Sequence, residues 1–295
     1  MSIIERALGK LQQVASGQPP VAPAKTERSS RHTHRVDDTA TSRTVRPREN
    51  RVFAESITFN VEELRVQGVM PPEEHVHLLT DQFRRIKWPI LEVALARVAA
   101  DGRHANRVMV TSSVAGEGKT FTSFNLAQGI ARERDCSVLL VDADVAKRHL
   151  TEMLKLGERQ GLMDAIADSS LDVESLVLGT SVPGLSVLPA GRRSSSAPEL
   201  FASHRMVELV EQLGRSDPQR VVLFDSSPLL ATNESQVLGK IVDQIVMVVR
   251  AEFTTHPMVV EAIGYLEKSK VRCVLNQAKA SRQTEYYYGY YPHDR

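Results

Sequence analysis

The sequence predicts an α/β protein built on a doubly wound, mostly parallel sheet with helices on both faces. Three observations carry that expectation. Six short runs are nearly all apolar: RVMVTS, SVLLVD, LSVLPA, RVVLFD, QIVMVV and VRCVLN. Longer stretches of helical character separate them, among them FTSFNLAQGIARER, MVELVEQLGR and MVVEAIGYLEKS. No internal repeat is visible. Strands so uniformly apolar are buried on both faces, and strands that alternate with helices pair in parallel. The 295 residues suit one large domain with extensions, or two modest domains.

The elements follow in chain order. Residues 1–16 read as a short amphipathic helix. Ser2 and Glu5 stand in capping-box spacing, and Ile3, Ile4, Ala7, Leu8, Leu11 and Val14 form one apolar stripe. So short a helix is marginal alone, so it packs either on its own domain or on a partner surface. Residues 17–55 are rich in Pro, Ser, Thr and Arg, with few large apolar side chains. Such a stretch buries too little surface to offset its ordering entropy and reads as a disordered linker. Its excess of basic over acidic side chains leaves a weak contact with anionic lipid head groups open beside a plain solvated linker. The ordered domain spans residues 56–280. It opens with SITFNV as a short strand and VEELRVQG as a turn or two of helix. Residues 75–100 are helical, with Pro89 starting a new segment. Residues 281–295 are a polar, tyrosine-rich tail.

Composition excludes several classes. The formal net charge is +1, so bulk electrostatics do not point to nucleic acid. Two cysteines, Cys136 and Cys273, make no disulfide framework and suit a reducing cytosol. No apolar run reaches the roughly 20 residues of a membrane span. The opening MSIIERALGKL lacks a continuous apolar core and a small-residue cleavage site, so it does not read as a signal peptide. Work at a membrane would need something else to hold the chain there.

The chemistry begins at VMVTSSVAGEGKTFTSFNLA, a strand, a tight loop and a helix. The usual phosphate-loop pattern is G-x-x-x-x-G-K-[ST]. Gly118, Lys119 and Thr120 fit it, and Ser113 takes the place of the first glycine. Gly116 and Gly118 let backbone approach phosphate oxygens. The amides from Glu117 through Thr120 to Phe121 point inward at a helix N-terminus, where the dipole favours an anion. Lys119 would reach the β- and γ-phosphates of ATP, and the Thr120 hydroxyl would bind Mg2+. The expected fold is therefore of the P-loop NTPase kind. Asn276, after the last apolar run, is a candidate adenine contact.

A phosphate loop needs carboxylates to hold its metal, and two apolar runs end in them. VLLVDAD places Asp142 and Asp144 past one strand, and VVLFDSSP places Asp225 at the end of another. Ligands of open α/β sheets lie at the carboxyl ends of the strands, so all three acids are expected to converge on the phosphates. Five of the six tyrosines, Tyr286, Tyr287, Tyr288, Tyr290 and Tyr291, crowd the last ten residues. Glu285, Gly289, Pro292, His293 and Asp294 surround them, which is poor material for a core. They read as phosphate acceptors or as a sticky interaction tail.

These residues resemble the bacterial tyrosine kinases of capsule and exopolysaccharide systems. That family combines a phosphate loop of this type with a D-x-D after three apolar residues and a D-x-x-P. The likeness runs from about His75 to Arg295. MSIIERALGKL, VEELRVQG and YYYGYYPHDR look like the branch that accompanies exosortase-linked exopolysaccharide clusters, in which the kinase is a separate cytoplasmic chain. The resemblance implies Mg2+-ATP-dependent autophosphorylation of the tail tyrosines. It implies Lys119 and Asp144 as catalytic groups, with Asp144 the proton acceptor, and Asp142 and Asp225 serving the metal directly or through water. It also implies self-association, possibly as a ring, through Asp81-x-x-Arg84-x-x-Lys87, where the family has E-x-x-R-x-x-R. A membrane-bound chain-length determinant or co-polymerase is the implied partner and would recruit the chain to the inner face of the membrane. Many members carry an arginine two residues after the D-x-D. Here that position is Ala146, followed by Lys147 and Arg148. The competing reading is a partitioning or positioning ATPase of the same fold. Those ATPases place a signature lysine just after the first loop position, and here that residue is Val114.

Overall fold

The computed structural model describes residues 53–96 and 104–279. The expected N-terminal helix, nearly all of the linker and the whole tyrosine cluster lie outside the described residues.

The chain enters at strand β1 (Ser56–Ile57) and helix α1 (Val61–Val66). The strand is shorter than SITFNV suggests because Asn60 starts the helix. Its side chain accepts from the Glu63 amide at 3.2 Å. Helix α2 (Val76–Ala94) follows. It runs through Pro89 rather than restarting there. Pro89 donates no hydrogen bond to the preceding turn. Buried Phe83, Ile90, Leu91 and Ala94 pack the helix on both sides of that point, and this packing outweighs the lost bond.

Beyond α2 the alternation proceeds as the sequence indicates. The elements are β2 (Arg107–Ser112), α3 (Lys119–Ala131), β3 (Ser137–Ala143), α4 (His149–Met153) and α5 (Leu162–Ala167). Next come β4 (Leu178–Thr180), β5 (Leu185–Leu188), α6 (Ala197–Phe201), α7 (His204–Arg215) and β6 (Arg220–Ser226). The described chain closes with α8 (Asn233–Ile241), β7 (Gln244–Arg250), α9 (His256–Gly264) and β8 (Val271–Asn276). The sheet order is β1-β4-β5-β3-β6-β2-β7-β8. Every neighbouring pair is parallel except β4 with β5.

Period-two alternation splits each central strand between two cores. Met109, Leu139, Val141, Val222, Phe224, Ile245 and Met247 face one, beside α5 to α9. Val108, Val110, Val138, Leu140, Val221, Leu223, Val246 and Val248 face the other, beside α2 and α3. Both faces of these strands are dry, which is why their sequences are continuous apolar runs. The outermost strand β8 departs from that expectation. It lies at an edge, and Leu275 is 63% exposed.

The order places β3, β6 and β2 side by side in the middle of the sheet. Those three strands carry the D-x-D, the D-x-x-P and the phosphate loop at their carboxyl ends.

Candidate active site

The loop after β2 turns into α3 through Gly118, whose φ is +91°. An L side chain is strained there, and a Cβ would come within 2.1 Å of the Asn276 amide nitrogen. Gly116 also has a positive φ, +84°. Lys119 is therefore the first residue of α3, and it is buried. The amides of the first turn have no partner within their own helix and remain for an anion. Ser113 Oγ is buried with no hydrogen-bond partner.

Strand register brings the acids to this point. Asp142 on β3 pairs with Asp225 on β6, and Asp225 in turn lies beside Val110 on β2. Neighbouring strands are about 4.8 Å apart, so two carboxylates face a short gap. Burial is the main cause that pushes Asp142 up to about 7, and the Asp225 charge adds to it. Burial also pushes Asp225 up to about 6, against the pull of Lys119 and the Thr120 and Ser123 hydroxyls. Ser123 Oγ donates to Asp225 Oδ1 at 2.9 Å. Asp225 Oδ2 is buried with no hydrogen bond. Thr120 thus acts on Asp225 without closing a hydrogen bond to that oxygen.

The three acids have different surroundings. Asp142 Oδ2 accepts from the Thr151 amide at 2.8 Å and its hydroxyl at 2.6 Å, and Oδ1 accepts from the Asp144 amide at 3.2 Å. Asp144 Oδ1 accepts from Ser227 Oγ at 2.8 Å and from the Lys147 amide at 3.3 Å. Asp142 is thus fixed deep in the site, Asp225 has an orphaned oxygen beside Lys119, and Asp144 hangs from one oxygen on the turn after β3. Thr151, Ser123 and Ser227 are the functional neighbours that motif reasoning missed. Ser227 lies in the D-S-S-P run and Ser123 one turn beyond Lys119, so each had a local signal. Thr151 had none.

The cations near the D-x-D also separate. Arg148 turns inward at φ +54°, and its guanidinium donates to the Gly157 carbonyl at 2.5 Å. The carbonyl of Ala146, where many family members have arginine, accepts from Arg193 Nη1 at 3.0 Å. Asn276 donates from Nδ2 to the Glu117 carbonyl at 2.9 Å, and its Oδ1 accepts from the Gln277 amide at 2.9 Å. Its polar atoms are taken by backbone, so an adenine would have to share them.

The residues suit a Mg2+-nucleotide. An orphaned carboxylate oxygen, an orphaned hydroxyl and a free helix terminus are what such a ligand would satisfy. Among the described residues no group of three acids, histidines or cysteines makes a ready-formed metal cluster.

The triplet expected to touch a second subunit is divided. Asp81 and Arg84 are exposed and pair with each other at 3.4 Å. Lys87 is buried, and its ammonium donates to the Gly129 carbonyl at 2.9 Å and to Glu133 at 2.6 Å, both within this chain. Residues three apart on a helix drift by about 60°. Two such steps carry Lys87 from the outer face to the seam between α2 and α3. Within this chain Lys87 therefore has its own partners, while Asp81 and Arg84 lie on the outer face of the helix.

The family model for the CobQ/CobB/MinD/ParA nucleotide binding domain matches residues 108–264. Tyrosine-protein kinase YwqD of Bacillus subtilis (strain 168) is 31% identical over 228 residues, covering 76% of this chain and 92% of that protein. The putative tyrosine-protein kinase EpsB of Ralstonia nicotianae is 33% identical over 185 residues, 63% of this chain but 24% of EpsB. The chain thus spans nearly all of one curated relative and about a quarter of the other. Among solved structures, the VpsO kinase domain aligns with a TM-score of 0.57 at 28% identity, over 70% of this chain and all of that one.

Proposed function

We propose that this chain, which belongs to the bacterial tyrosine-protein kinases built on the CobQ/CobB/MinD/ParA nucleotide-binding domain, phosphorylates the tyrosines of its own tail. Family membership makes it a nucleotide-binding protein-tyrosine kinase. The acceptor, the metal, the assembly and the biological setting are our reading.

The observation that carries it is the side-by-side placement of β3, β6 and β2. Asp142 and Asp225 are register partners, and Lys119 opens the helix beside them. When bound, Mg2+-ATP supplies the phosphoryl group and neutralises charge around it. Thr120, Asp142 and Asp225 would hold the metal. The backbone from Gly116 to Phe121 would cradle the phosphates, with Ser113 nearby, and Lys119 would offset charge that develops in transfer. Asp144 would accept the tyrosine proton. A phenol's pKa is about 10, and phosphoryl transfer is largely dissociative, so a modest base acting late suffices.

Tyr286, Tyr287, Tyr288, Tyr290 and Tyr291 are the proposed acceptors, supplied in trans by a neighbouring copy within a homo-oligomer. Asp81, Arg84 and Lys87 on α2 are the proposed subunit contact, with Asp81 and Arg84 the exposed members. No described helix is long and apolar enough to cross a membrane. A membrane-bound co-polymerase would recruit the kinase, and phosphorylation would regulate polysaccharide export.

Purified protein incubated with Mg2+-ATP should gain phosphotyrosine, mapped by mass spectrometry to residues 286–291. Replacing the five tyrosines with phenylalanine should remove most of it while a supplied tail peptide is still phosphorylated. Undiminished incorporation in the five-fold variant would move the acceptor elsewhere and leave the kinase activity standing.

A further inference from the structure

The phosphate loop contains an acid that its own chemistry does not explain. Glu117 stands between Gly116 and Gly118, where phosphates are expected, yet a carboxylate repels phosphate. It is fully buried. Among the described residues it forms no ion pair, and a buried charge without a cation is costly unless hydrogen bonds compensate it.

Its partners do so. Oε2 accepts from the Val114 amide at 2.7 Å. Oε1 accepts from the Arg250 amide at 3.2 Å and from the Thr254 hydroxyl in a short bond. Val114 opens the loop, whereas Arg250 ends β7 and Thr254 lies in the turn before α9. The carbonyl of the same residue is held by Asn276 at the end of β8. One residue is thus gripped by the loop's entry, by β7 and by β8. Every donor but one is backbone or amide, so the grip is insensitive to pH on the donor side. Both carboxylate oxygens are thus engaged, one by the amide at the loop's entry and the other by β7 and the turn after it.

We propose that Glu117 is a positioning residue that holds the phosphate loop in its binding shape before nucleotide arrives, with Thr254 as its partner from outside the loop. Glycines at 116 and 118 permit that shape, but they permit many others as well. A carboxylate that accepts from Val114 closes the first half of the loop as a tight turn, and the bonds to Arg250 and Thr254 anchor that turn to the sheet. Preordering of this kind lowers the cost of binding, because the loop has less freedom to lose. The inference rests on the nucleotide-binding reading of the loop and is independent of which tyrosines accept phosphate.

The test uses nucleotide binding by the full-length protein, with Mg2+-ADP as the probe in calorimetry well below the melting temperature. Glu117→Gln keeps the size of the side chain but turns one acceptor into a donor. Whichever way the amide faces, it confronts either the Val114 amide or the Arg250 and Thr254 pair. The Kd should rise roughly a hundredfold. Thr254→Val removes one donor and should raise it about tenfold, the scale of a buried hydrogen bond to a charged group. Thr254→Ser keeps the hydroxyl and should restore the wild-type Kd, which a role in packing the Thr254 methyl would not produce. The double variant Glu117→Gln with Thr254→Val should bind no worse than Glu117→Gln alone. Wild-type affinity in Thr254→Val, or full additivity in the double variant, would overturn the assignment. If Glu117→Gln fails to fold, the comparison of Thr254→Val with Thr254→Ser decides alone.

Discussion

Two regions of this molecule received motifs of similar clarity from the sequence and treat them in opposite ways. At the carboxyl ends of β3, β6 and β2, residues 119, 142 and 225 come together from far apart in the chain. On α2, three charged residues spaced by three, Asp81, Arg84 and Lys87, are drawn apart into solvent and seam. The difference lies in the element. A residue at a strand end is placed by register, and the apolar run before it fixes that register, since a one-residue slip would turn every side chain to the wrong face. A residue on a helix is placed by rotation, and a spacing of three accumulates about 60° per step. Motifs at strand ends therefore report convergence reliably, whereas a charged triplet on a helix also needs to know where the helix is buried.

The first region can be broken at Lys119. Lys119→Met removes the buried cation beside Asp225 and keeps much of the bulk. Phosphotyrosine formation should fall by at least about a hundredfold, the scale of losing one preorganised electrostatic contact. A purified, folded variant with near-normal phosphotyrosine would show that these acids and this lysine converge for some other purpose.

How much was legible follows the same division. Strands β2, β3, β5, β6 and β7 were visible because both of their faces are dry, and β8 was visible in VRCVLN although it lies at an edge with Leu275 exposed. Strand β4, of three residues, was not, since a segment so short has no periodicity to read, and β1 was legible as a short strand in SITFNV but not in its two-residue extent. Pro89 suggested a break, and the packing of Ile90 and Leu91 overrode it. The phosphate loop and the three acids were legible as types and as places. Thr151, which grips Asp142 from nine residues further along the chain, was not, because nothing in HLTEM marks a threonine that reaches back to a strand end. Glu117 was legible only as part of a loop pattern, and its side-chain role depends on a turn more than a hundred residues away.

The second region sharpens the comparison by a paired substitution. Lys87→Met should cost roughly 1–3 kcal/mol of stability, because it leaves the Gly129 carbonyl and Glu133 without their buried donor. The variant's melting temperature should fall while its mass in light scattering stays at the wild-type value. Arg84→Glu removes only an exposed pair with Asp81, worth at most about 1 kcal/mol, and should leave the melting temperature nearly unchanged. If α2 meets a second copy through its outer face, Arg84→Glu lowers the mass instead. A loss of assembly in Lys87→Met at full thermal stability would place Lys87 at the interface.

The smallest effect tests whether convergence at the strand ends is itself strained. Asp142 and Asp225 are register partners, both are buried, and their pKa values are pushed up to about 7 and about 6. An aspartate in the unfolded chain titrates near 3.9. Between about pH 4 and 7 the folded state therefore binds more protons than the unfolded state. Stability contributed by these groups falls as pH rises through that window. The ligand-free protein should then gain stability, at these positions, on acidification from about pH 8 to 5.5. Asp142→Asn removes one of the two charges, along with its repulsion of Asp225. The variant should be more stable than wild type at pH 8, by on the order of 1 kcal/mol or more, which is roughly 2–4 °C for a domain of this size. That advantage should shrink as the pH falls and Asp142 in the wild type takes up its proton. Mg2+-ADP should reverse the order, stabilising the wild type and doing much less for the variant, because a metal and its phosphates turn the repulsion into coordination. Melting curves of both proteins at the two pH values, with and without Mg2+-ADP, contain all four comparisons. Equal stability of wild type and Asp142→Asn at pH 8 without ligand would mean that the carboxylates are not in strain, and that the site does not depend on a bound cation to relieve it.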